Sequence, residues 1–125
     1  MTKEGALYLF WSSFGLTAYE ENTVPTGEDA PKFPYLTYSV STDEMGREIA
    51  LNTSLWYRSD SWVEINAKTE DIAEKIGRGG YLVHFDGGSI WIKKGQPFAQ
   101  NMGDESDDMI RRKYLNILAE YLSAD

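Results

Sequence analysis

Hydrophobic positions along this chain recur with two different periods, and the element changes where the period does. Leu7, Phe10, Trp11 and Phe14 stand at i, i+3, i+4 and i+7, one face of a short helix from about Thr2 to Phe14 with Gly15 placed to end it. A helix with a single lysine, Lys3, on its other flank reads as a packing helix rather than a membrane-surface one. Leu16-Thr17-Ala18-Tyr19 reads as a short edge strand. From Pro34 to Thr42 the period falls to two, with Leu36, Tyr38 and Val40 on one side and Tyr35, Thr37 and Ser39 on the other. Asp43-Glu44-Met45-Gly46 has turn chemistry, and the chain returns from Arg47 to Arg58. Pairing Thr42 with Arg47 predicts Val40 opposite Ile49, Tyr38 opposite Leu51 and Leu36 opposite Thr53. On the returning strand Ile49, Leu51, Leu55 and Tyr57 then face the core. Trp56 falls on the polar side, where another element of the chain or a neighbouring subunit must cover it.

Ser61-Trp62-Val63-Glu64 has the capping-box form, and Trp62, Ile65, Thr69, Ile72 and Ile76 continue at helical spacing to Gly77. This second helix is expected on the apolar face of the hairpin. Tyr81 to Phe85 and Ser89 to Lys93 read as a second hairpin with Gly87-Gly88 at its tip, so that Phe85 meets Ile90, His84 meets Trp91 and Val83 meets Ile92. A phosphate loop at Gly87-Gly88 is disfavoured, since a strand follows it where a helix would be needed.

Two stretches lack periodicity. Asn22 to Pro34, with Pro25, Gly27, Pro31 and Pro34, is a long loop and a candidate contact arm. Lys94 to Met109, with Gly95, Pro97 and Gly103, reads as an irregular contact segment anchored by Phe98 and Met102. The closing stretch from Ile110 to Leu122 fits either period: a strand presents Leu115, Ile117, Ala119 and Tyr121 together, and a helix gives a stripe of Ile110, Tyr114, Ile117, Leu118, Tyr121 and Leu122.

Composition narrows the function classes. The 125 residues fit a single domain, 1–125, able to bury about two-thirds of its unfolded surface. Twelve basic against 20 acidic residues give a net charge of −8, which disfavours general affinity for nucleic acid or anionic membrane. The sequence contains no cysteine, so thiolate metal sites and disulfides are excluded. No stretch approaches the ~20 apolar residues of a membrane span. His84 is the single histidine, in a strand context, and no Gly-x-Ser-x-Gly elbow occurs. Asp104, Glu105, Asp107 and Asp108 lack the ligand spacing of a calcium loop and read as a solvated acidic loop. No catalytic residue, cofactor or metal ligand is expected, and the chain is not expected to be an enzyme.

Several short motifs carry a resemblance over nearly the whole chain. They are Tyr19-Glu20 with Val24-Pro25; Phe33-Pro34-Tyr35-Leu36-Thr37-Tyr38; Leu55-Trp56-Tyr57-Arg58-Ser59 with Ser61-Trp62; Gly87-Gly88; Pro97-Phe98-Ala99-Gln100; and Arg111-Arg112 with Tyr114-Leu115-Asn116 and Glu120-Tyr121-Leu122. Together the chain resembles the tail terminator family of long-tailed bacteriophages and their prophages in Gram-positive bacteria. That resemblance implies an α/β (α+β) fold, a mixed, mostly antiparallel sheet of about five strands with two helices packed on one face, and a strand for the closing segment. It further implies a virion structural protein, made in the host bacterial cytoplasm, that forms a hexameric ring at the head-proximal end of the tail tube. The ring would end tail polymerisation and form the tail side of the head-tail joint. Its partners would be other copies of itself, the tail tube protein and the head-side connector, with DNA passing through without specific binding. Trp56, Phe98, Gln100, Met102, Arg111 and Arg112 are the expected subunit contacts, and Asp104, Glu105, Asp107 and Asp108 the expected acidic lining of the lumen. The alternatives are a head-side connector protein or a monomeric small-ligand binding module.

Overall fold

The computed structural model describes residues 1–41, 47–103 and 107–123. Among them the chain forms helix α1 (Lys3–Ser12), strands β1 (Thr17–Glu20), β2 (Tyr35–Tyr38), β3 (Glu48–Ala50) and β4 (Thr53–Arg58), helix α2 (Val63–Ile76), and strands β5 (Tyr81–Phe85), β6 (Gly88–Met102) and β7 (Ile110–Ser123). One mixed sheet runs β1-β2-β4-β7-β6-β5, with β3 also paired to β7; β1 and β2 are parallel and the rest antiparallel. The described sheet thus has seven strands, more than the five expected; one of the additional strands arises because the returning arm divides into β3 and β4.

Thr2 starts α1, its Oγ1 accepting from the Gly5 amide at 3.0 Å, and the predicted stripe is buried as Leu7, Phe10, Trp11 and Phe14. The helix touches both edge strands, β1 and β5, so the sheet curls round it and holds it in the concave side. Lys68 of α2 donates to the Phe14 carbonyl at 2.6 Å, tying the end of α1 to the second helix. α2 buries Ile65, Thr69, Ile72 and Ile76 against the same face and ends at Gly77, whose φ of 73° only glycine takes readily. The capping box does not form. Ser61 Oγ accepts from Val63 N at 3.1 Å, two residues on, and Ser61 N bonds Ser59 Oγ in place of a glutamate. The sheet answers with Leu36, Leu55, Ile90, Ile92, Leu115, Ile117, Ala119 and Tyr121, all under 2% exposed. Each such aliphatic side chain contributes about 1.5–3 kcal/mol by leaving water.

Both hairpin registers differ from those expected, each by two residues. Leu36 lies opposite Leu55 and Tyr38 opposite Thr53, while Val83 lies opposite Ile90 and His84 opposite Ser89. A two-residue shift leaves every side chain on its own face, which is why the apolar alternation survives it. The first shift follows from β7. Glu48 pairs with Glu120, Leu51 N donates to Ile117 O at 2.9 Å and Thr53 pairs with Leu115, so the whole returning arm runs in one register along β7, and only its second half also meets β2. The predicted turn at 43–46 lies outside the described residues. In the second hairpin the turn is Asp86-Gly87, with Gly87 at φ 96°, and Gly88 already belongs to β6. A Cβ on Gly88 would fall 2.0 Å from the Leu122 carbonyl oxygen, so this glycine is needed for close approach to β7.

The closing segment is a strand, as the resemblance implies, with Leu115, Ile117, Ala119 and Tyr121 inward. Lys94 to Met102 is not an irregular loop but the second half of β6. Lys94 pairs with Ile117 and Ala99 with Leu115, so Gly95-Gln96-Pro97-Phe98 bulges opposite Asn116 alone. Asn116 Nδ2 donates to the Pro97 carbonyl at 2.6 Å, and Phe98 packs on the core. Pro97 is tolerated because a bulge asks for no ladder donor there.

Candidate subunit interface

Among the described residues neither α1 nor α2 covers the convex face of the sheet, and the strand registers lay its side chains in two rows across four strands. Tyr35, Trp56, Arg112 and Met102 form one row; Thr37, Ser54, Tyr114 and Gln100 form the next. Four of the six contact residues expected from sequence, Trp56, Gln100, Met102 and Arg112, therefore come together here from three strands. Met102 is among the exposed large apolar side chains.

The first row is tightly organised. Trp56 stacks on Tyr35, the rings 5.9 Å apart and only 8° from parallel, and its Nε1 donates to Thr37 Oγ1 at 2.9 Å. The Arg112 guanidinium lies 4.6 Å from the Trp56 ring and 5.6 Å from the Tyr114 ring. Its Nε and Nη2 each donate to Ser54 Oγ at 3.1 Å, and Ser54 is buried beneath it. Asn52 Nδ2 donates to Tyr114 Oη at 2.7 Å, fixing the far wall. Phe33 and Tyr19 extend the aromatic surface around Tyr35. Burial raises the Tyr35 phenol above its ordinary value of 10.0, with Tyr19 adding to the shift and Arg112 opposing it, so the phenol is neutral at physiological pH. Tyr35, Thr37, Ser54, Trp56, Arg112 and Tyr114 line a cavity of about 260 Å³ together with Asn52, Glu21 and Val24. Trp56 thus has a cover within its own chain, and the cover is itself a shaped, partly polar surface.

The other expected site residues lie elsewhere. Arg111 points to the helix side, its guanidinium 5.5 Å from the Trp62 ring and its Nη1 donating to the Asp108 carbonyl. Neighbouring Lys113 also lies 5.5 Å from Trp62, and burial lowers its pKa. Phe98 sits in the β6 bulge, on the wall of a broader groove of about 670 Å³ that also has Arg78, Lys94 and Trp91. Asp107 is committed to local structure: its carboxylate accepts from Arg58 Nε at 3.0 Å and from Met109 N at 2.9 Å. Asp108 is exposed, and Asp104 and Glu105 lie outside the described residues.

His84 Nδ1 is paired with Ser89 Oγ at 2.8 Å on an exposed strand. Among the described residues no group of three or more His, Asp or Glu side chains is placed to hold a metal ion, and no helix is long and apolar enough to cross a membrane. The sequence singled out Trp56 and Arg112 but missed Tyr35, Tyr114 and Ser54. The available signal was aromatic side chains at outward positions of their strands, Tyr35 beside Leu36 and Tyr114 beside Leu115. Comparison with protein-family models, with curated proteins and with solved structures returns no match.

Proposed function

We propose that this chain is a structural subunit of a bacteriophage tail: a tail terminator that assembles as a hexameric ring on the head-proximal end of the tail tube, stops its growth and presents the tail side of the head-tail joint. The observation that carries this reading is the sheet face that α1 and α2 leave uncovered. Residues from the scattered motifs that carry the resemblance to that family, Tyr35, Trp56, Arg112, Tyr114 and Gln100 among them, lie in two adjacent rows on one surface. Aromatic and arginine side chains at the centre of a polar rim are the composition of a protein-protein contact. A ring needs a heterologous contact, one surface of each copy fitting a different surface of the next, and a stiff sheet face suits that use.

On this reading the copies meet in the host cytoplasm and the assembled ring resides in the virion, bound to the tail tube protein on one side and the head-side connector on the other. DNA crosses the lumen without a specific site, which a chain of net charge −8 favours by withholding the counterion-release attraction of a basic surface. No bond is made or broken in this role. Sedimentation velocity over a concentration series, alone and with tail tubes, tests the reading. Ring-sized species under either condition support it, whereas a chain that stays monomeric in both, or duplex DNA held tightly and released by salt, counts against it.

A further inference from the structure

The Arg112 pocket is more than a flat contact. A guanidinium has five N–H donors, and here the edge formed by Nε and Nη2 is spent on Ser54 Oγ. The edge formed by the two Nη groups remains. Among the described residues no carboxylate makes an ion pair with Arg112, and Glu21, the one acid lining the cavity, is exposed. Two bonds to Ser54 Oγ and the nearby Trp56 and Tyr114 rings, at 4.6 and 5.6 Å, hold the guanidinium in place, so the remaining edge is fixed in direction before any ligand arrives. Rigid placement removes most of the ordering cost an arginine would otherwise incur on binding. Around it stand the hydroxyls of Thr37 and Tyr114, in a space of about 260 Å³, the size of one side chain with its nearest backbone rather than of a cofactor.

We propose that this pocket is a receptor for one carboxylate side chain, presented by a second copy of this chain and bound end-on by the two Nη groups of Arg112 on the Trp56-Tyr114 platform. Charge complementarity selects the occupant: the chain carries 20 acidic residues against 12 basic ones, so a second copy offers carboxylates in excess while Arg112 has none paired with it among the described residues. A planar bidentate pairing between arginine and carboxylate adds direction as well as attraction, which a ring contact requires. That the carboxylate comes from a second copy rests on the ring-forming reading above; the preference of the pocket for a carboxylate does not.

The test uses the full chain, labelled with ¹⁵N. Glutarate is titrated against a chloride control of equal ionic strength while the Arg112 Nε and Trp56 Nε1 resonances are followed. Self-association of the unmodified chain, Arg112→Gln and Arg112→Lys is measured in parallel by sedimentation. The expected result is a saturable shift of both resonances with glutarate, absent with chloride, together with self-association weakened about tenfold or more in Arg112→Gln. Arg112→Lys, which keeps the charge and loses the planar fork, is expected to recover only part of it. No saturable shift overturns the carboxylate site. A shift with self-association of Arg112→Gln unchanged overturns the second copy as its source and leaves a site for a free carboxylate. If the unmodified chain forms no ring alone or on tail tubes, the ring-forming reading falls while the titration still decides the pocket. Should Arg112→Gln lose its dispersed amide spectrum, the titration of the unmodified chain stands on its own.

Discussion

Leu55 and Trp56 are neighbours in sequence and opposite in purpose. Leu55, with no exposed surface, faces the concave side, where two helices fill the curl of the sheet over a largely apolar core. Trp56 faces the convex side, half-buried under Tyr35 and Arg112 with its indole N–H on Thr37. One face spends its side chains on stability, the other on a shaped, partly polar surface whose ordering a monomer does not need. The difference teaches that in this sheet the strands serve two surfaces at once, and that removing a side chain should harm fold or assembly according to which way it points.

The largest effect should come from the concave side. Leu55→Ala is expected to lower unfolding free energy by about 2–5 kcal/mol, because a cavity is left among side chains that cannot all close on it. Equilibrium urea unfolding reads this directly, and a loss well under that range would mean the core is looser than its burial implies. Trp56→Ala should cost less, about 1–2 kcal/mol, through lost stacking. It should nevertheless abolish self-association, a split between stability and assembly that the same preparation can report by unfolding and by sedimentation. A third substitution works the other way. Thr53 is 2% exposed on the apolar side, and its hydroxyl has no partner among the described residues. Thr53→Val, which keeps the shape and removes the orphan group, is expected to stabilise by about 1 kcal/mol.

The smallest effect is a pH dependence in the alkaline range. Burial raises the phenols of Tyr35, Tyr38, Tyr57 and Tyr121 above 10.0, and the hydrogen bond that Lys93 Nζ donates to the Glu48 carboxylate chiefly raises Lys93 above 10.5. A group whose folded pKa is raised contributes stability that is intact below its unfolded value and is lost as pH climbs through the folded one. Lys113, lowered by burial, acts in the opposite sense, but it is one group against five. Urea midpoints should therefore fall between about pH 9 and about pH 11. Of these four phenols Tyr35 is the one on the convex face, so Tyr35→Phe should reduce the slope least if the concave side dominates stability.

Much of this division was legible in the sequence. Alternation at Leu36, Tyr38, Leu55 and Tyr57 states which side chains turn inward, and helical spacing states the buried stripes of both helices, whereas the period at Leu115 and Ile117 fitted strand and helix alike. Register was not legible, because a period of two is blind to a shift of two; the long partner β7, distant in sequence, decided it. The β6 bulge was hidden for a different reason. Gly95 and Pro97 break the local pattern of a strand, and only Asn116, capturing the Pro97 carbonyl from across the sheet, makes the break part of one. Of the candidate site, Trp56 announced itself as an aromatic on the polar side. Its relation to Arg112 did not, since the two are joined by a pairing between positions far apart in the sequence.

The central claim is that the work of this protein lies in surface fit between copies on a tail tube. Electron microscopy of tubes grown from the tail tube protein of the same genome, with the purified chain added, tests it most directly. The account predicts a ring of extra density at one end of each tube and an end to further growth there, lost with Trp56→Ala; bare tube ends and continued growth would contradict it.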